Sequence, residues 1–564
     1  MEKIRSLLQN IQSSPANHLP IVAAFCKRAG LVDAINRVVP SNMEVDIGTI
    51  VQAMVLDILS SRSPLYRLAD FFRCLDTELL MGRPQMWGAL NDTTVGRAMD
   101  QIFSVGAEKM FNSVAFQTAV RFPLDMHVGH FDTTSVSVWG AYDVCRAGGK
   151  KLNITYGHSK DHRPDLKQFL IKMLCVGRNI PIIGGCENGN ASDKNLNSAL
   201  LSRISEHMRR YGIFPGDFLY VADAAMVTEE NLRLLGDNPF VTRLPFSYSE
   251  ASRVVKEAVA QGRWEETGTL NETPGTPKRP VAHYSITEKI VTLYEREYRA
   301  VVVHSTAHDK RRLKRIDREI QKSVKALHKL IVEESKRKYF CRPDAEAAAC
   351  RLQQSDTDLH QITTCLNEKL LYARGRPSKN APRKVSAVHY FLAAQIEEKA
   401  EQIQCRREEA GCFVLLTNVP RQGDKSRSGA ELLRLYKDQY GIERNYSFLK
   451  DPLIVNDLFL KKPERVEVLG AILLIALLIW NLIEHVLRQH VDKGNVDLPG
   501  WDNKPTRRPT AFMMSTKFLG LQVIKVHSSY HLLKPLTNEQ KLYLEALDIS
   551  EQDLLFPLRE IGCN

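Results

Sequence analysis

The chain has 564 residues, more than one hydrophobic core can serve, because single cores stop growing near ~250–300 residues. Hydrophobic residues make up 44% and charged residues 25%, with 21 Phe, 17 Tyr and 5 Trp, which excludes a disordered or collagen-like chain. Lys and Arg outnumber Asp and Glu by 77 to 65, and the net charge of +12 favours a polyanionic partner, nucleic acid first.

Eleven cysteines are scattered from Cys26 to Cys563 with no Cys-x-x-Cys pair, which argues against a disulfide framework or zinc module and for a reducing cytosol. The first twenty residues lack the unbroken apolar core of a signal peptide. The longest apolar run, Val468 to Trp480, falls short of the ~20 residues a bilayer requires, so a buried core helix and no membrane contact are expected.

Residues 1–120 read as a helical N-terminal domain for DNA binding or dimerisation, or as a helical cap with no partner. IGTIVQAMVLDILSS and LYRLADFFRCL carry apolar residues at three- and four-residue spacing, and Asn91-Asp92-Thr93 offers a cap for a helix whose stripe is Val95, Met99, Ile102 and Phe103. The period then changes. MHVGHFDTTSVSVW (126–139), KLNITYG (151–157) and LKQFLIKMLCV (166–176) predict strands. GGCENGN (184–190) lacks GxGxxG spacing and reads as a turn, and Asn190 to Asp193 cap the helix that follows. FLYVAD (218–223), a helix from Thr228 and FVTRL (240–244) complete an order of three strands, helix, strand, helix, strand: an α/β mixed sheet covered by helices, over 121–245.

A long insertion is expected over 246–410. YSITEKIVTLYERE and YRAVVVHS read as paired strands, and Leu313, Ile316, Ile320, Val324, Leu327 and Ile331 form the stripe of a basic amphipathic helix, either solvated or DNA-facing. ARGRPSKNAPRK (373–384) is a basic loop. The sheet domain resumes over 411–495 with the strand CFVLLTNV, a helix from about Ser428 to Lys450 and the apolar helix from Arg465, and 496–564 is a C-terminal helical region.

Three acids stand out by position: Asp132 inside the first strand, Asp223 at the end of a buried strand, and Glu443 on the helix after the insertion. A carboxylate at the edge of a buried strand is costly unless paired or metal-bound. Three that converge repel one another, and two divalent cations relieve the repulsion while activating a water or 3′-hydroxyl. All-oxygen ligands suit Mg²⁺ or Mn²⁺. Tyr436, Gln439, Glu443 and Lys450 share one stripe of a continuous helix, and their phenol, amide, carboxylate and ammonium suit a metal ligand flanked by phosphate contacts. His127 and His130 lie near Asp132 and read as packed histidines.

Strand Asp132, strand Asp223, a long insertion and Tyr-x2-Gln-x3-Glu-x6-Lys together resemble the DDE transposases of bacterial and archaeal insertion sequences. The match is to the insertion-sequence-four superfamily, whose helix motif is Tyr-x2-Arg-x3-Glu-x6-Lys. GHSKDHRPDLKQF (157–169) resembles its sixteen-thirty-four group. The resemblance implies an RNase H-like fold, and Asp132, Asp223 and Glu443 as the catalytic triad holding two Mg²⁺ or Mn²⁺ ions. It implies Tyr436 and Lys450 on DNA phosphates, with Gln439 standing in place of the motif's Arg and bringing no charge. It further implies double-stranded DNA as partner (terminal inverted repeats and target), a homodimer, a cytoplasmic, nucleoid-associated protein, and cleavage through a hairpin with a flipped base stacked on an aromatic of the insertion. Trp264 is the candidate platform, with a structural tryptophan the other reading. Arg374 and Arg376 of RGRP resemble the core of an AT-hook for narrow minor grooves, or belong to a plain basic linker. The competing readings are an RNase H-like nuclease without strand transfer and a catalytically silent DNA-binding derivative of a transposase.

Overall fold

The computed structural model describes residues 11–60, 62–142, 152–177, 179–270, 281–306, 310–374, 383–450, 460–527 and 529–558. The chain divides into two compact units, one of Met1–Thr242 with Leu435–Asn564 and one of Arg243–Arg434.

The first unit begins with helices α1 (Leu19–Ala29), α2 (Leu31–Val38), α3 (Ile47–Ile58), α4 (Asp92–Val105) and α5 (Ala107–Arg121). Gly30, at φ +69°, ends α1 in the left-handed conformation that glycine tolerates and starts α2 at once. The Asp46 side chain accepts from the Thr49 amide at the start of α3, and Asn91 accepts from Thr93 and Thr94 at the start of α4. The α4 stripe turns Val95, Met99 and Ile102 inward, and Phe103 packs half-buried against the same core. Among the described residues that core is continuous from these helices to the sheet.

Five strands follow: β1 (Val128–Val138), β2 (Lys167–Val176), β3 (Ile180–Glu187), β4 (Leu219–Ala222) and β5 (Phe240–Leu244), with α6 (Asp193–Arg210) after β3 and α7 (Glu229–Leu235) after β4. Their spatial order is β3-β2-β1-β4-β5, antiparallel between β1, β2 and β3 and parallel from β1 to β4 to β5. Two assignments differ from expectation. Among the described residues of KLNITYG only Thr155 bridges, opposite Gln168. The third strand is instead IPIIGGCE, where a turn was expected at its glycine pair. A Cβ at Gly184 would stand 2.9 Å from the Leu474 side chain, so the glycine there serves a close helix approach.

In the second unit lie α8 (Ser249–Gln261), β6 (Glu265–Thr269), β7 (His283–Leu293), β8 (Arg296–Ser305), α9 (Lys310–Ser335), α10 (Arg342–Gln353), β9 (His360–Tyr372), β10 (Val385–Glu398), α11 (Ala400–Ala410) and β11 (Cys412–Thr417). β7 and β8 pair antiparallel as expected, and β11 pairs antiparallel with β8, Cys412 opposite His304. The basic helix α9 forms, but its apolar stripe is only partly covered: Leu327 is buried with Leu352 and Ile362, whereas Leu313 is exposed.

α12 (Gly429–Lys437) and α13 (Tyr440–Leu449) replace the single helix expected from Ser428 to Lys450. The hydrogen bonds Gly441 N to Asp438 O and Ile442 N to Gln439 O, both 3.0 Å, make a tight turn between them. α14 (Pro463–Gly494) is long and apolar enough to cross a membrane, yet 89% of its apolar window is buried inside the fold. It lies on β3 and packs against α1, α3, α4 and α5 as the central core helix. Past residue 496 the chain is less helical than expected: Gln522–Val526 pairs with both Ser529–Leu532 and the N-terminal strand Ile11–Pro15. The whole is a mixed α/β fold with a large mixed sheet.

Candidate active site

β1 and β4 run parallel with Phe131 opposite Ala222, so the next residue along each chain is an aspartate. Asp132 continues β1, and Asp223 begins the turn that ends β4. The Asp132 Oδ1 accepts from the Thr133 amide at 2.7 Å, and the Asp223 Oδ1 from the Ala225 amide at 3.1 Å. Burial pushes the Asp132 carboxyl up to about 6, with Lys160 opposing the shift and the charges of Asp223 and Asp193 adding to it. Burial and the Asp193 charge raise Asp223 too, against Lys160.

Lys160 and Asp193 complete this group. The Lys160 ammonium donates to the Thr133 carbonyl at 2.6 Å and lies 3.5 Å from both Asp132 Oδ1 and Asp193 Oδ2. Asp193 opens α6, but its side chain turns to the sheet and accepts from the buried Thr133 hydroxyl at 2.5 Å. Two carboxylates, Asp132 and Asp193, therefore flank one ammonium, and Asp223 is within reach of their charges. Asp193 reads in sequence as a capping residue and Lys160 as part of a longer motif, so neither was legible as a member of the site.

α13 closes over β1. Its inner face carries Ile442, Asn445, Tyr446 and Leu449. Asn445 donates to the Asn179 carbonyl at 2.8 Å and accepts from Asn481 of α14 at 2.9 Å, which pins α13 to both neighbours. The Tyr446 hydroxyl is buried and has no hydrogen-bond partner among the described residues. Burial raises its pKa well above the ordinary phenol value, and the charges of Asp132, Cys175, Asp193 and Asp223 add to the shift.

Glu443 is exposed on the flank of α13, one turn before Tyr446. Among the described residues no three His, Cys, Asp or Glu side chains stand as a metal-holding group, so Glu443 is not gathered with Asp132 and Asp223. The turn between α12 and α13 also breaks the expected stripe: Tyr436 lies half-buried on α12, and Gln439 stands at the N-cap of α13 without a side-chain cap bond. The Lys450 ammonium, at the end of α13, is 2.6 Å from the Asp161 carboxylate.

The remaining candidates scatter. Trp264, in the second unit, packs half-buried against His304 with ring centroids 5.6 Å apart. Arg374 is exposed beside the hydrogen bond from Ala373 N to Lys384 O, and Arg376 lies outside the described residues. His127 meets the Asp217 carbonyl at 3.1 Å. His130 is buried, and burial pushes its pKa down to about 4.

Residues 11–116 match a family described as a domain of unknown function, DUF4277. A comparison with curated proteins finds no match.

Proposed function

We propose that the chain is a DNA transposase of the DDE type, with an RNase H-like catalytic domain formed by 121–245 and 411–495, interrupted by the insertion 246–410. The observation that carries this reading is the pair Asp132 and Asp223, set side by side at the ends of a matched register on adjacent parallel strands. The mixed sheet read from the order of three strands, helix, strand, helix, strand supports it: the first three strands are antiparallel and the last two parallel to the first. So does the +12 charge, which suits double-stranded DNA.

The donor set fits hard divalent cations: half-buried carboxylates, Asp132 raised by the charges of Asp223 and Asp193 and Asp223 by that of Asp193, with no soft ligand among them. Asp132 and Asp223 would hold two Mg²⁺ or Mn²⁺ ions. When bound, such ions supply activation of a water or 3′-hydroxyl and stabilise the leaving oxygen. Glu443 would bring the third carboxylate, from a helix whose inner face is fixed by Asn445. Lys450 and Tyr436 would steady the phosphates beside the cut, Gln439 would offer an uncharged hydrogen bond, and Trp264, Arg374 and Arg376 would contact DNA from the insertion. A homodimer would bring two inverted repeats together for end cleavage, through a hairpin, and joining to target DNA.

The position of Glu443, exposed and apart from the aspartate pair, also favours a second reading: a transposase-derived protein that binds DNA without cutting it. The deciding experiment is incubation of labelled duplexes bearing the repeats that flank the gene with the full chain and Mg²⁺, beside Asp223→Asn. Metal-dependent nicking at the repeat end, lost in the variant, is the expected result. Repeat binding without cutting by the native chain selects the second reading, and neither binding nor cutting overturns both.

A further inference from the structure

We propose that the cation site contains a further carboxylate, Asp193, and a resident competitor, the Lys160 ammonium, which contends with a divalent cation for the same oxygens. The proposal rests on the reading of Asp132 and Asp223 as metal ligands and extends it to two residues outside the triad.

Lys160 is held in a fixed place. Its backbone amide donates to Ser135 Oγ at 3.0 Å, and its ammonium reaches the Thr133 carbonyl and hydroxyl at 2.6 and 2.9 Å. From there it lies equally far, 3.5 Å, from Asp132 and from Asp193. Asp193 is as deliberately placed: a residue in the first turn of a helix usually turns its side chain to the helix's own free amides, but this one is bonded to Thr133 of β1. Three carboxylates with one ammonium leave a surplus of negative charge that a divalent cation would neutralise.

A separate observation points the same way. Tyr446 is buried to 9% exposure, and its hydroxyl stands within electrostatic reach of Asp132, Asp193 and Asp223 without a hydrogen-bond partner among the described residues. A buried phenol left unsatisfied is costly. Within reach of the charges of this cluster but bonded to none of its carboxylates, it is placed to donate to a water held by a cation.

If Lys160 competes, removing its charge strengthens cation binding; if it merely buttresses the sheet, removal weakens binding or leaves it unchanged. The test uses Mn²⁺ alone, titrated into the full chain without DNA and followed by the loss of free-Mn²⁺ electron paramagnetic resonance signal. Lys160→Met is expected to bind Mn²⁺ about tenfold more tightly, and Lys160→Arg to stay near the native affinity. Asp193→Asn is expected to bind about tenfold more weakly, with Asp193→Glu recovering part of the loss. Circular dichroism and melting temperature establish that each variant is folded, and should Asp193→Asn not fold, the two Lys160 variants decide the matter. Native-like affinity in both Lys160→Met and Asp193→Asn, with Asp132→Asn losing binding, overturns this inference and leaves the aspartate pair standing. Unaltered binding in Asp132→Asn, or no Mn²⁺ binding by the native chain at millimolar concentration, overturns the metal reading itself.

Discussion

Asn445 of α13 and Asn481 of α14 are joined side chain to side chain at 2.9 Å, and both donate to the carbonyl of Asn179 at 2.8 Å. This buried polar seam ties the helix carrying Glu443 and Tyr446 to the core helix and to the turn between β2 and β3. Buried amides are satisfied here only because all three groups are present.

Asn445→Leu should therefore cost more than a lost surface bond. It leaves the Asn481 carboxamide with the Asn179 carbonyl as its one remaining acceptor of the two, and one bond fewer at that carbonyl, a loss of roughly 1–3 kcal/mol. The denaturant midpoint should fall with the slope unchanged. If α13 positions the site, nicking should fall further than the folded fraction accounts for, and an activity loss matching the stability loss would deny α13 that role.

The pair Lys450–Asp161 gives a second outcome. At 2.6 Å, and with both side chains partly exposed, it contributes little to stability, about 0–1 kcal/mol. If Lys450 holds a DNA phosphate as proposed, Asp161 competes with that phosphate for the same ammonium. Asp161→Ala should strengthen DNA binding, and Lys450→Ala should weaken it across all sequences and lower the salt slope by about 1. Fluorescence anisotropy across a salt series reads both, and an unchanged slope in Lys450→Ala would remove this lysine from the DNA contacts.

A pH dependence of stability follows from Glu467. Burial pushes its carboxyl up to about 7, the charges of Glu108, Glu187 and Glu464 add to this, and Lys172 opposes it. The folded value lies above the unfolded value near 4.5, so the fold favours the protonated form. Its contribution is present at low pH and is lost as pH rises from about 4.5 through 7, levelling off above. Glu467→Gln should flatten that part of the melting-temperature profile and leave the chain relatively more stable at pH 8. Parallel profiles for the two proteins would mean that Glu467 titrates normally.

Strand character was legible where a single local pattern sufficed. Asp132 lies inside a strand and Asp223 ends an apolar one, both as read, and FVTRL is a strand as read. β3 was not, because its two glycines signal a turn locally, while Gly184 makes room for Leu474 of α14 and Gly185 for Glu108 of α5, both far off in the chain. The α12–α13 break was equally hidden. Tyr436, Gln439 and Glu443 fit one stripe at 100° per residue, but the tight turn at Asp438 and Gln439 shifts the phase, and Gly441, a poor helix former, gives only a weak hint. Lys160 and Asp193 lie 33 residues apart with no spacing rule between them; both meet the Thr133 side chain of β1, which brings them together.

The docking of α14 on β3 can be tested at one atom. A Cβ at Gly470 would fall 2.2 Å from the Cys186 sulfur but 4.0 Å from the Cys186 Cβ, so a single methyl meets the thiol and nothing else so close. Gly470→Ala alone should destabilise the first unit despite alanine's better helix propensity, because overpacking of a dense core costs about 1–3 kcal/mol. Cys186→Ala removes the obstructing sulfur at the cost of a small cavity. Combined, the two changes should recover most of the loss, a coupling of the kind that contacting residues show. Urea denaturation of the two single variants and the double gives the cycle directly. Additive losses would mean that α14 and β3 shift apart rather than meet at this contact.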